Sequence, residues 1–301
     1  MTAAPESPGA GKLLDQAAAR SELEFMASVV PVVDMTPEGM TPVGTAFFVS
    51  ELGLLIAARH SVDGFLPAEV SAGDHYGRAN ERLFILVPSG DTPAALHHRT
   101  TMLITQIALE PRLSDVAILE VNMETYPAEM RTHFRPWPLA HHRPTTGEDC
   151  VVAGYADMKV GELIDATGVS PDLEWQQNLR FAEGVVGNVH PGGRDSLLAP
   201  HPCFEVLAAT SGGMSGGPVF TENGIGGVLS RGWNFRFESE GPPNSLGALI
   251  ASCYHLEVEV DLGVGRRTYK MNTVITQGYV TSEGPTIQRR MNEGRVEILW
   301  L

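Results

Sequence analysis

Short apolar runs separated by Gly-, Pro- and Asp-rich breaks make up most of this 301-residue chain. Ala27–Val33, Gly44–Val49, Leu54–Ala58, Leu83–Val87, Met102–Leu109 and Val116–Val121 form a first set of strand candidates. A second set comprises Cys150–Tyr155, Leu179–Val189, Cys203–Ala208, Gly217–Phe220 and Gly226–Ser230. Many short strands with turn signals, and no regular alternation with helices, predict an all-β chain over an α/β one. Leu246–Leu256 reads as helical, followed by strand-like patterns at Leu256–Val260, Arg267–Val274 and Val296–Leu301. Residues 1–24 read as a tail, weakly helical around Leu13 to Leu23. The Pro-, His- and Arg-rich stretch Tyr126–Pro144 reads as a connection between the two strand sets. No internal repeat has a solenoid period.

Composition narrows the classes. A hydrophobic share of 43% and a charged share of 19% suit a globular chain with a real core. The formal net charge of −15 argues against nucleic acid and anionic membranes as partners, since phosphate binding needs clustered Lys and Arg. No apolar run approaches the roughly 20 residues that span a bilayer. The N-terminal residues lack the apolar stretch of a secretory signal. The cysteines are Cys150, Cys203 and Cys253, an odd count without metal-like spacing. Together these features predict buried thiols in a reducing cytoplasm, without disulfides. The pairs His97-His98 and His141-His142 have no Cys or carboxylate cluster near them in sequence, so no metal and no other cofactor is expected.

The chemistry concentrates in Gly213-Met214-Ser215-Gly216-Gly217-Pro218, followed by Val219-Phe220. Glycines on both sides let the chain bend tightly and let a carbonyl approach, which a Cβ would obstruct. A serine alone is a weak nucleophile and needs a base and an orienting carboxylate. His60 ends the apolar run Leu54–Arg59, and Asp115 opens the strand candidate Val116–Val121. The gaps are 115 − 60 = 55 and 215 − 115 = 100 residues, each long enough for several strands. Ser211 also precedes glycines but lacks the Pro-Val-Phe strand entry, so it reads as a turn residue. Gly213-Met214-Ser215-Gly216-Gly217 also fits a nucleophile elbow, with His255 downstream as base. That reading needs a helix after the serine, which Gly216-Gly217-Pro218 starts poorly. It also needs an acid before His255, where only Glu222, Glu238 and Glu240 are available.

These segments resemble the trypsin/chymotrypsin-like serine proteases. Gly44–Val49 looks like the strand before the family's histidine, and Ala57-Ala58-Arg59-His60 resembles its histidine motif. Ser114–Leu119 resembles its aspartate strand, and Gly213–Pro218 its serine motif. Gly227–Gly232 looks like the strand that binds substrate backbone, and the likeness covers roughly residues 25–260. The resemblance implies two six-stranded Greek-key barrels of the chymotrypsin type, with a short C-terminal helix and extra C-terminal strands. The expected organisation is a tail at 1–24, a first barrel at 25–140, a second at 141–260 and an extension at 261–301.

It also implies peptide-bond hydrolysis by Ser215, His60 and Asp115, with the N–H groups of Gly213 and Ser215 as oxyanion hole. Ser230, Arg231 and Gly232 would pair with the substrate, and Ala209 would sit at the base of the specificity pocket. Ala209 favours a small or apolar residue there over Lys or Arg, while Arg231 leaves an acidic preference open. The expected partner is a protein or peptide substrate. A catalytically silent binding module and an esterase are the competing readings. The tail and the C-terminal extension are candidate regulatory or partner-binding pieces, or else a loose tail and extra strands. Three departures stand out, the first being Arg59 in the position before the histidine. Met214 replaces the aspartate that pairs with a freshly cut N-terminus in trypsin-like zymogens, and no cysteine follows His60.

Overall fold

The computed structural model describes residues 20–66, 76–91, 99–109, 114–140, 143–159, 176–195, 199–222, 224–233, 244–283, 287–292 and 295–300. Most of the tail, both histidine pairs, Glu238 and Glu240 therefore lie outside the described residues.

Helix α1 (Glu22–Ser28) begins on a reciprocal capping box, in which Ser21 and Glu24 each accept the other's backbone N–H. Its Phe25 is buried and meets the ring edges of Trp137 and Phe181 at 5.2 and 4.9 Å. The apolar run at Ala27 thus starts as helix and becomes strand only at the β-branched pair Val29-Val30.

The first sheet contains β1 (Val29–Thr36), β2 (Gly39–Phe48), β3 (Leu54–Ala58), β4 (Tyr76–Arg78), β5 (Leu83–Pro88), β6 (Arg99–Leu109) and β7 (Val116–Val121). Strands β5-β1-β2-β3-β7-β6 form a ring closed by β5–β6 pairing, and β4 adds to the edge of β6. The second ring runs β9-β10-β11-β14-β13-β12 and closes through β12–β9. Its strands are β9 (Asp149–Lys159), β10 (Gln176–His190), β11 (Cys203–Ala208), β12 (Pro218–Thr221), β13 (Gly224–Trp233) and β14 (Asn244–Leu249). Between the rings lies the short β8 (Leu139–Ala140), which runs parallel to β13. The protein is therefore all-β, with two closed six-stranded antiparallel barrels and the chymotrypsin-like architecture. Closure pairs most of each ring's backbone on both sides, which is how small barrels limit edge-to-edge association.

One burial cluster fills the first barrel around Val32, Phe48, Leu55, Ile85, Ile104 and Leu119. Another fills the second around Val152, Val186, Phe204, Val206 and Val219. The largest joins the barrels, with Phe47, Ile56, Trp137, Tyr155, Phe220 and Val228 packed together.

The expected helix at Leu246–Leu256 is a strand for its first half. Ser245–Ala248 pair with β11 on one side and β13 on the other, and only Ile250–His255 forms a 3-10 turn. Ladder pairing on both edges outweighs local propensity, and Gly247 disfavours helix in any case. A Cβ on Gly247 would stand 2.6 Å from the Phe204 ring, so the glycine makes room for that core side chain. Beyond it come the hairpin β15 (Glu257–Asp261) with β16 (Arg266–Lys270), and helix α3 (Met271–Thr276). The run expected as a strand to Val274 thus turns helical at Met271. Next is β17 (Ser282–Glu283), which pairs with β8, and then the hairpin β18 (Ile287–Asn292) with β19 (Arg295–Trp300).

Candidate active site

His60 and Asp115 meet because β3 and β7 are paired antiparallel. Ala58 and Val116 are the last partners of that ladder, so the residues just beyond face each other across its end. Arg59 N–H closes the junction on the Asp115 carbonyl at 3.0 Å, and a single helical turn, α2 (Arg59–Val62), carries the histidine. Asp115 Oδ1 accepts His60 N–H at 3.0 Å, and Oδ2 lies 2.8 Å from His60 Nδ1. Ser230 Oγ donates to the same Oδ2. The carboxylate is almost wholly buried. Burial alone would raise its pKa, but the His60 hydrogen bond and charge, with the Ser230 hydroxyl, outweigh that and hold it at about 2. An ionised carboxylate on Nδ1 fixes the tautomer that leaves Nε2 as the base.

The Ser215 loop is held by backbone contacts. Thr45 N–H donates to Ser215 O at 2.8 Å, and Gly216 N–H donates to Leu229 O at 2.7 Å. Gly213 and Gly216 adopt φ of +91° and +89°. A Cβ on Gly216 would lie 1.9 Å from Thr45 O, so no other residue fits. The Met214 side chain is buried in the second-barrel cluster, and Ser211 N–H points at its sulfur at 3.4 Å. Met214 N–H turns away to Ser211 O at 3.3 Å. Among the described residues, neither Gly213 N–H nor Ser215 N–H donates to any protein group. Ser215 Oγ makes no hydrogen bond to His60 among them either.

Ser211 sits in the turn before this loop, within 3.4 Å of the Arg180 guanidinium. Pro218 enters β12 directly after Gly217, so the serine leads into a strand and not into the helix of a nucleophile elbow. Ala209 follows β11 in an exposed position, and the Oγ1 of the next residue, Thr210, lies 2.6 Å from Ser245 Oγ. Ser230 is buried and Arg231 is exposed. A bulge lies between Leu229 and Arg231 opposite β14.

A family model for the trypsin-like peptidase domain matches residues 44–225, well over half of the chain. The chain belongs to the trypsin-like peptidase domain family. Among solved structures, it is similar to the Rv3671c protease from M. tuberculosis in its active form. Identity there is 16%, over 94% of this chain and 95% of that one, with a TM-score of 0.48. It is also similar to the HtrA-type protease AlgW with decapeptide, at 13% identity over 94% of this chain and 73% of that one, TM-score 0.48. A thermostable serine protease, AL20, from an extremophilic microorganism matches at 18% identity over 74% of this chain and 91% of that one, TM-score 0.45. No curated protein matches the chain.

Two residues of this peptidase-family site have no role in the sequence reading. Thr45, fully buried, donates its hydroxyl to Gly213 O at 3.0 Å and accepts Tyr155 N–H at 2.9 Å. It ties the serine loop to both barrels, yet in sequence it is one Thr in an apolar strand. His201 is buried within electrostatic reach of Asp115, Arg59, Arg231 and His60. Burial lowers its pKa most, and the neighbouring cations lower it further while Asp115 opposes them. No motif surrounds it, so no sequence signal could have found it.

Proposed function

We propose that the protein is a serine endopeptidase acting through Ser215, His60 and Asp115. The observation that carries this is the doubly hydrogen-bonded Asp115–His60 pair beside a glycine-framed serine with two uncommitted N–H donors. Ser215 Oγ attacks the peptide carbonyl and His60 Nε2 takes its proton. The imidazolium, stabilised by Asp115, returns that proton to the leaving amine, and water then hydrolyses the acyl-enzyme along the same route. Gly213 and Ser215 N–H groups receive the developing oxyanion, where losing one such donor typically costs about 10²–10³ in kcat. The substrate adds as a strand along Ser230, Arg231 and Gly232. Ala209, with the Thr210–Ser245 pair next to it, offers no carboxylate to a cationic side chain, which fits a small or apolar residue before the cut bond.

A reducing compartment fits the three cysteines, all free and buried. Burial pushes the Cys150 thiol up to about 12 and Cys203 to about 11, so neither carries a reactive thiolate near neutrality. Among the described residues no helix is long and apolar enough to cross a membrane.

A fluorophosphonate probe and a mixed peptide library test the proposal together. The intact chain should be labelled at Ser215 and should cleave peptides, and Ser215→Ala should lose both while unfolding at an unchanged denaturant midpoint. Full cleavage by Ser215→Ala would overturn the assignment. Labelling with ester turnover but no peptide cleavage would favour the esterase reading.

A further inference from the structure

We infer that Arg231 makes this site select substrates with an acidic side chain on the second residue before the cut bond. The inference rests on the peptidase reading and adds to it a substrate class.

The strand β13 has two different halves. At Gly227 and Val228 it is paired on both sides, with β12 and β14. Leu229 is then bonded through its N–H and C=O to Gly217 and Gly216 beneath the serine loop. From Arg231 to Trp233 it pairs with β14, through Leu246, Ser245 and Asn244. Among the described residues no strand pairs with the opposite edge of this stretch. That edge is where an extended peptide can add its backbone.

The register of such an added strand follows from the chemistry. Its first residue before the cut bond must lie near Ser215, opposite Ser230. Antiparallel pairing then sets the preceding residue opposite Arg231, and directly opposed residues put their side chains on one face.

The charges around this point are unequal in their partners. His60 and Ser230 take up the Asp115 carboxylate. Arg59 is shared between Asp63 at 3.2 Å and Asp115 at 3.8 Å. Arg231 is exposed and, among the described residues, has no hydrogen bond or ion pair. It is thus an uncommitted guanidinium on the strand offered to substrate, in a chain of net charge −15. A guanidinium is always charged and receives carboxylates through a planar fork, so it discriminates by sign as well as by shape. A substrate lysine at that position would face Arg231.

The test uses peptides of one sequence with Ala before the cut bond and Glu, Ala or Lys before that. The intact chain should cleave the Glu peptide at least about tenfold faster, by kcat/KM, than the Lys peptide, and added salt should shrink the ratio. Arg231→Gln should bring the ratio near one, and Arg231→Glu should invert it. Binding of the same peptides to Ser215→Ala, read by fluorescence anisotropy, should rank them in the same order without any turnover. Cleavage with equal rates for Glu and Lys peptides would overturn the inference and leave the peptidase reading standing. A Glu preference that survived in Arg231→Gln would overturn it too. Neither cleavage nor fluorophosphonate labelling would remove the peptidase reading and this inference with it.

Discussion

The two halves of the proposed site are built by different physics. Asp115 and His60 sit on the first barrel and are joined by charge-assisted hydrogen bonds around a buried carboxylate. Ser215 sits on the second barrel in a loop held by backbone hydrogen bonds, two positive-φ glycines and the buried side chain of Met214. The first arrangement depends on ionisation, and the second on shape and packing. The serine loop is anchored by apolar burial of Met214 in the second barrel. Damage to either half should therefore carry a distinct signature.

Asp115→Asn is expected to show the largest effect. It keeps the shape, presents an amide to His60 and favours the wrong imidazole tautomer, so kcat should fall about 10⁴-fold with little change in KM. Activity within tenfold of the intact chain would break the acid–base half of the comparison. Met214→Asp probes the other half. It puts a carboxylate into the apolar second-barrel cluster that contains Val152, Ala208 and Val219. Loss of about 3–5 kcal/mol in denaturant unfolding is expected, whereas Met214→Leu should cost under about 1.5 kcal/mol. A stable, active Met214→Asp would mean that a cation reaches this loop.

Thr45→Val removes one hydroxyl that serves two barrels. It leaves Gly213 O and Tyr155 N–H without their side-chain partner inside the protein. A stability loss of about 2–3 kcal/mol is expected, together with a drop in kcat because Gly213 is also the proposed oxyanion donor. Thr45→Ser, which keeps the oxygen, should restore most of the kcat. Equal damage by both variants would show that the methyl, and not the hydrogen bonds, matters at this position.

The legibility of these features in sequence follows the same division. Strand β3 running into His60 and β7 starting after Asp115 are plain, because apolar runs ending on a polar residue mark both. The glycine frame around Ser215 is also plain, since positive φ and a close Thr45 carbonyl demand glycine. Thr45 and His201 are not legible, because their significance lies in tertiary contacts that no local spacing encodes. Nor is β14, where Leu246–Leu249 reads as helix until pairing with β11 and β13 is known. Helix α1 is hidden for the opposite reason: its capping box is local and readable, but the apolar run at Ala27 reads through it as strand.

Acid separates the two halves most cleanly, with the smallest effect. The folded pKa of Asp115, at about 2, lies below its ordinary value of 3.8. A depressed carboxylate contributes stability that is fully present above its unfolded pKa and is lost as pH falls through the folded one. The window is therefore about pH 4 down to about pH 2, and the difference corresponds to about 2 kcal/mol. Asn at position 115 cannot titrate, so the stability gap between the intact chain and Asp115→Asn should narrow by about that much across the window. The gap between the intact chain and Thr45→Val involves no ionisable group and should stay level over the same range. Denaturant midpoints for the three proteins at pH 5, 4, 3 and 2 measure both gaps at once, and other carboxylates cancel in each difference. A gap for Asp115→Asn that stayed level would mean the carboxylate gains nothing from His60 and Ser230. A gap for Thr45→Val that narrowed with it would mean the serine loop shares the ionisation, and the two halves would then be one electrostatic unit.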